Sequence, residues 1–345
     1  MGPPSRHADP ASPAGSASAL ADLEHPSCVN CGSADLRQIL VARDLRHRTP
    51  GEFPLVECVH CSLKFVRPRP APAAMGRHYP TTYPAHQKKV GVAKSGAVLC
   101  FGRLWDGYQR LFLSKSYPTF FLRRHVQEFR PADRQPRVLD IGCASGEKLN
   151  YLKRAGWDVC GVDFSELAIA NAHAAGLDQT HVAPGDALPF PDDHFEAVYS
   201  WHSLEHHHDP LATLKETFRV LRAGGRAIFA VPSSDSLALR VFGRFWGPLE
   251  IPRHLYHFTE KTLAETARLA GLTRRQTFLD FSFYGLFLDQ EILESLENLA
   301  ASRGWRLRFP RPPGLSIAVR ILTLPLNGLL GRIWQGGNLI MHFTK

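Results

Sequence analysis

Three groups of residues in this chain have the types and spacing to do chemistry. The first is Asp140-Ile-Gly142-Cys-Ala-Ser-Gly146. Glycines at both ends of so short a turn let the backbone approach a ligand, and the N–H groups of a following helix can point at it. A plain strand-to-helix crossover would use the same turn, so the acids around it must identify the ligand. A pyrophosphate fingerprint G-x-G-x-x-G starting at Gly142 needs glycines at 144 and 147. Those positions hold Ala144 and Glu147. An acid there repels a phosphate, and Asp140 ahead of the turn suits a cationic ligand. Asp163 follows, 21 residues beyond Gly142, where a carboxylate can accept both hydroxyls of a ribose. Helix capping is the structural alternative, and Ser165 is the better cap.

The second group is Cys28-x2-Cys31 and Cys58-x2-Cys61, with 26 residues between the pairs. Each pair makes a turn presenting two thiolates, and tetrahedral Zn2+ would close the set. Gly32 suits such a knuckle. Disulfides are the alternative, and a reducing compartment argues against them. Four thiolates leave no open position, so the metal would be structural. His60, between the second pair, is read as a surface residue.

The third group is Trp201-His-Ser-Leu-Glu205-His206-His207-His208-Asp209. Histidine titrates near neutrality and can serve as a general base. A metal site is another reading of this run, although three successive histidines cannot all face one ion. His207 and His208 are read as solvated loop residues.

In order and spacing, VLDIGCASG, VCGVDFSE, GDALPFPDDHFEAVYSWHSLEHHHDP, LKETFRVLRAGGRAIFAVP and WGPLEIPRHLYHFT resemble class I S-adenosylmethionine (SAM) methyltransferases of the type 11/23 kind, over most of residues 135–285. Ala144 stands where the family has a middle glycine. The resemblance implies SAM binding by Asp140, Gly142 and Gly146, with Asp163 on the ribose and Asp186 on the adenine amino group. Ala187 and Leu188 would flank the adenine, Phe164 would pack on it or in the core, and Trp201 would close the end of the fourth strand. The methyl acceptor would lie against the 201–209 run, with His206 as candidate base or as part of the architecture of the loop, and His254 as acceptor-side residue. Trp246, Arg253 and Tyr256 could recognise the acceptor, or staple a loop to the core.

These residues need a scaffold, and the hydrophobic pattern supplies one. Short apolar runs near 137–142, 157–163, 180–183, 195–201 and 225–231 alternate with helical patterns near 146–155, 165–175 and 211–222. Strand–helix alternation argues for an α/β fold with a parallel, Rossmann-like sheet and helices on both faces. Ligands of such sheets sit at the carboxyl ends of the strands, where Asp140, Asp163, Asp186 and Trp201 fall. Thr259 reads as the cap of a helix before a sixth strand, and NLIMHFTK as the last. The family resemblance implies seven strands in the order 3-2-1-4-5-7-6, the last antiparallel.

The rest of the chain divides around this core. Residues 1–26 are rich in Pro, Ala and Ser and are expected to be disordered. Residues 27–67 form the zinc-ribbon-like module and 68–134 a proline-broken linker with a helical cap. Residues 135–345 form the SAM domain, with a helical insertion at 285–333. Within that insertion 315–330 is apolar but interrupted by Arg320 and Pro325. It is too short for a transmembrane helix and open to peripheral membrane contact. No secretory leader is read, and the protein is expected in the cytoplasm. The chain has 41 Lys+Arg against 32 Asp+Glu, a net charge of +9, without a block of consecutive basic residues. Nucleic acid is therefore the disfavoured partner, and a small-molecule or carrier-linked acceptor the favoured one: a sugar, glycan or natural product, methylated on oxygen in preference to carbon or nitrogen. The alternatives are a zinc-ribbon methyltransferase acting on RNA, and a non-catalytic SAM-binding scaffold.

Overall fold

The computed structural model describes residues 22–80, 83, 135–280, 287–305, 307 and 338–345. The chain begins with β1 (Leu23–Glu24), β2 (Leu36–Ala42), β3 (Phe53–Cys58), β4 (Lys64–Val66) and β5 (Arg69–Pro70). Strands β2, β3 and β4 pair antiparallel in sequence. In β3, Phe53, Leu55, Val56 and Cys58 are buried and Pro54 and Glu57 are not.

Strand β1 pairs antiparallel with β5, inside the stretch expected to be disordered. The ordering has a specific cause. The Glu24 carboxylate accepts a hydrogen bond from Arg69 Nε at 2.5 Å, and Arg69 is only 3% exposed. Ordering residues 22–26 therefore neutralises a buried guanidinium.

The second part runs β6 (Arg137–Ile141), α1 (Glu147–Arg154), β7 (Asp158–Asp163), α2 (Glu166–Ala174), β8 (Thr180–Val182), β9 (Phe195–Trp201), α3 (Pro210–Val220), β10 (Leu221–Pro232), α4 (Leu237–Phe242), β11 (Tyr256–His257), α5 (Glu260–Leu269), β12 (Thr273–Asp280), α6 (Phe287–Ser302) and β13 (Asn338–Thr344). All seven residues of β9 are buried, as a parallel strand covered on both faces requires. Local caps start the helices. Ser165 Oγ accepts from Ala168 N at 3.2 Å, Asp209 caps α3 with Pro210 in its first turn, and Thr259 and Thr262 form a reciprocal capping box on α5. Helix α3 stops at Val220, two residues before the expected end, because Leu221 already pairs with Phe195 in the sheet.

The seven-stranded sheet has the order β12-β13-β10-β9-β6-β7-β8. Counted along the domain this is 6-7-5-4-1-2-3, the expected order, and β13 is antiparallel to both neighbours. The fold is the Rossmann-like α/β sheet of class I methyltransferases, preceded by a small ribbon-like unit.

That unit is built into the sheet domain. Strand β11 joins the ribbon sheet, with Tyr256 opposite Phe65 and His257 opposite Lys64. Leu63 and Phe65 share one apolar cluster with Leu139, Ile141, Val198 and Phe229. Asn30 donates to Thr262 O and accepts from Thr266 Oγ1, tying the first cysteine knuckle to α5. Asp44, in the loop after β2, takes two hydrogen bonds from Arg253, at 2.7 and 2.9 Å. Both side chains are fully buried.

The expected helical cap within 68–134 lies outside the described residues from position 84 onward. The apolar stretch 315–330 is outside them too. Among the described residues, no helix is long and apolar enough to cross a membrane.

Removing one partner of a buried ion pair leaves an uncompensated charge and costs about 3–5 kcal/mol. Asp44→Ala should lower the unfolding free energy by that amount in urea titrations. The double variant Asp44→Leu/Arg253→Met should lose clearly less than the sum of the single variants.

Candidate functional site

Strand β6 delivers Asp140 to the carboxyl edge of the sheet, and the chain then turns through Gly142 and Gly146 into α1. Asp140 is 1% exposed. Burial pushes its carboxyl up to about 7, against the pull of Lys148 and the Tyr199 hydroxyl, with Asp163 adding to the rise. Its Oδ1 is buried with no hydrogen-bond partner among the described residues.

The glycine turn makes room for protein as well as for a ligand. Gly142 has φ +82°, and a Cβ there would lie 2.1 Å from Ser203 Oγ. At Gly146, with φ +77°, a Cβ would meet Leu177 Cδ1 at 2.1 Å. The first close approach seats the loop after β9 on the turn, and the second seats α1 against the end of α2. Ala144 adopts the left-handed conformation, with φ +48°. Its N–H donates to Asp163 Oδ2 at 2.9 Å, while Ser165 N donates to Oδ1 at 2.9 Å. Asp163, at the end of β7, thus ties the glycine turn to the start of α2. A carboxylate has about four lone-pair sites, and these bonds use two of them.

The other residues expected around a nucleoside divide. Phe164 is 56% exposed and meets Tyr79 edge-on, with ring centroids 5.3 Å apart. Asp186 and Ala187 are exposed on the loop after β8. Leu188 and Trp201 are buried. Leu188 N–H is held by Glu216 at 2.9 Å, and Trp201 packs in the core cluster of α1, with Lys148 Nζ 5.9 Å from its ring.

Beyond β9 the chain enters a short 3-10 turn, Leu204–His206. His202, just before it, has φ +53°, a conformation that costs a non-glycine residue about 1–2 kcal/mol and redirects the chain across the site. Glu205 is 1% exposed. Burial pushes its carboxyl up, but the hydrogen bond from His202 and nearby His206 bring it below the ordinary range. His206 Nδ1 lies 3.0 Å from both Arg253 O and Tyr79 Oη. His254 arrives from the segment after α4, its ring 4.6 Å from that of His206, with Nδ1 2.7 Å from Pro248 O. Burial holds its pKa well below the usual imidazole value, and His206 and His257 add to the depression. The fold therefore brings His206 and His254 together with Glu205.

One reading of this region needs correction, and of two open alternatives the structure takes one. His207 and His208 are not free loop residues. The His207 ring occupies the space a Cβ on Gly185 would need and bonds Thr213 and Ser203, while His208 Nε2 bonds Pro70 O at 3.0 Å. The segment with Trp246, Arg253 and Tyr256 is the stapled loop rather than a recognition surface: all three are at most 2% exposed. Arg253 is consumed by Asp44 and by His78 O. Asp44 and Tyr79 carried no motif in the sequence. Each is placed by tertiary contacts alone.

The four cysteines also converge. Cys28 and Cys61 Sγ are 3.3 Å apart, Cys31 and Cys58 3.4 Å, and Cys31 and Cys61 3.9 Å, too far for disulfides. Both knuckles fold alike: Gly32 N donates to Cys28 O and Ser62 N to Cys58 O, with Gly32 at φ +72° and Ser62 at φ +65°. His60 stands outside this cluster, its side chain 61% exposed.

The raised pKa of Asp140 sets a pH dependence. Its contribution to stability is fully present below the unfolded value near 3.8 and is lost as pH rises through about 7. Ligand-free Asp140→Asn should therefore melt higher than the parent protein at pH 8, and the gap should close between pH 7 and 4. Equal pH profiles in thermal melts would show that Asp140 is not the titrating group.

Residues 115–277 match a family model described as a methyltransferase domain. The chain is 30% identical over 177 residues to the malonyl-[acyl-carrier protein] O-methyltransferase of Pseudescherichia vulneris, spanning 51% of this chain and 68% of that protein. It is 29% identical over 233 residues to the protein of the same name from Erwinia billingiae (strain Eb661), spanning 65% and 85%. It is 28% identical over 159 residues to the ubiquinone biosynthesis O-methyltransferase of Bordetella avium (strain 197N), spanning 43% and 66%. With the seven-stranded order and the acids at the ends of β6 and β7, these likenesses establish that the chain belongs to the class I SAM-dependent methyltransferases.

Proposed function

We propose that this methyltransferase acts on an oxygen of a small or carrier-linked acceptor, binding SAM across the carboxyl ends of β6 and β7. The observation that carries the reading is Asp140: a buried carboxylate beside the glycine turn, with one oxygen lacking a partner among the described residues. That oxygen fits the ammonium group of SAM, whose sulfonium supplies an electrophilic methyl group. Asp163 would take the ribose hydroxyls on its remaining lone pairs. Asp186, with Ala187 and the exposed face of Phe164, would border the adenine, and Gly142 and Gly146 would shape the turn. Leu188 and Trp201 would support that wall from the core. His206 and His254 would face the acceptor. Much of the rate of such a displacement can come from holding the two reactants in line. The names of the relatives, two of them O-methyltransferases of a carrier-linked malonyl group and one of ubiquinone biosynthesis, support oxygen as the acceptor atom.

The four-cysteine cluster is read as a structural Zn2+ site, held by Cys28, Cys31, Cys58 and Cys61. Four thiolates around zinc lie about 3.8 Å apart at ordinary bond lengths, and the observed 3.3–3.9 Å separations bracket that value. Since the ribbon shares its sheet with β11, metal there would also brace the segment carrying His254.

Asp163→Ala should weaken SAM binding at least tenfold by calorimetry, as expected for a charged hydrogen-bond acceptor worth about 1.5–3 kcal/mol. Unchanged affinity would move the nucleoside elsewhere. The purified protein should carry zinc on the cysteines, counted by atomic emission. Cys58→Ser should lose that metal and, with it, the ribbon's protection from proteolysis.

A further inference from the structure

We propose that Glu216 and Arg219 of α3 are positioning residues of the cofactor site, which hold the loop after β8 in the shape that selects adenine. This role rests on the reading above that Asp186 and Ala187 border that base.

Glu216 and Arg219 stand three residues apart on one face of α3. Arg219 Nε donates to Glu216 Oε1 at 2.7 Å, and Nη2 donates to Oε2 at 2.8 Å. This hydrogen bonding holds the Glu216 carboxyl below its ordinary range, against burial, which raises it. The pair then reaches across to the loop. Glu216 Oε2 accepts from Leu188 N at 2.9 Å, and Arg219 Nη2 donates to Leu188 O at 3.1 Å. Both polar backbone groups of one residue are therefore tied, so the peptides on either side of it cannot turn freely. Leu188 directly follows Asp186 and Ala187, and its side chain is buried in the main apolar cluster. Arg219 Nη1 donates to Phe190 O and to Asp192 Oδ1, each at 2.8 Å. A guanidinium has five N–H donors in a rigid fork, and these contacts use all of them. Arg219 has none left for a ligand and acts through the loop alone.

The two ends of the loop are anchored as well. At the near end, a Cβ on Gly185 would lie 2.3 Å from His207 Cε1, so this ring backs the chain directly. At the far end, Asp193 N donates to Arg219 O at 3.0 Å and His194 N to Val220 O at 2.8 Å. Between these anchors Asp186 and Ala187 are exposed. Fixing their backbone before a ligand arrives removes the cost of ordering it on binding. It also sharpens selection. The amino group of adenine can donate to a carboxylate, whereas the carbonyl of hypoxanthine in the same place repels one. A carboxylate on a fixed backbone cannot retreat from that repulsion, and one on a loosened loop can.

The test is calorimetry of the full-length protein with S-adenosylhomocysteine and with S-inosylhomocysteine, which carries hypoxanthine in place of adenine. The parent protein should prefer the adenine compound. Arg219→Lys keeps the charge but not the fork, and should lower that preference about three- to tenfold. Glu216→Ala should act in the same direction. Glu216→Gln retains an acceptor for Leu188 N–H and should recover part of the loss. Should Arg219→Lys or Glu216→Ala fail to fold, Glu216→Gln, expected between Glu216→Ala and the parent, decides. A residue that only stabilised the fold would weaken both ligands alike and leave the preference unchanged. An unchanged preference in these variants, while Asp186→Ala abolishes it, would overturn the positioning role and leave the adenine reading standing. A preference that survives Asp186→Ala, or is absent from the parent, would overturn the adenine reading and the positioning role with it.

Discussion

The pairing of Arg253 with Asp44 holds the two halves of this protein in register. A guanidinium and a carboxylate, both fully buried, tolerate each other only with hydrogen bonds in good geometry. Asp44 meets this with two bonds to Arg253 and further ones from His47 N and Thr49. The backbone of the same arginine accepts from His206, and the next residue is His254. The ribbon therefore reaches the candidate acceptor site through one residue, whose side chain faces the ribbon and whose carbonyl faces the site.

A second constraint works on the cofactor side. Asp163 gathers Ala144 N and Ser165 N on its two oxygens, so the glycine turn is held before any nucleoside arrives. Ala144 takes a left-handed conformation that glycine would take at lower cost, and its hydrogen bond to Asp163 helps offset that strain. Ser203 presses on Gly142 from the other side. The turn is shaped by its neighbours, and the loop after β9 is one of them.

The ribbon and the sheet read as separate modules in the sequence because their contacts are long-range. Tyr256 and Phe65 are neighbours across two strands although 191 positions separate them. Nothing in local composition announces such a pairing. The same distance explains why Arg253 looked available to a ligand: an arginine in an aromatic loop reads as recognition until the carboxylate that neutralises it is located. His207 was misjudged for a related reason, since its burial depends on the missing Cβ of Gly185, 22 positions earlier.

By itself the sequence determined what depends on periodicity and short spacing. The buried parallel strands, the caps at Ser165 and Thr259, and the pairing of two C-x2-C knuckles follow from short patterns, because strand burial, capping and knuckle turns are local physics. The seven-strand order came from the family resemblance, with strand–helix alternation pointing to a parallel sheet. Tertiary structure alone decided which polar side chains would be matched inside the protein and which left facing the site. Arg253 found Asp44 and was silenced. Asp140 and Glu205 were buried with one oxygen each unpartnered among the described residues, and His254 was carried to His206 from 48 positions away. Burial without a partner is a property of the folded surroundings, and no spacing along the chain encodes it.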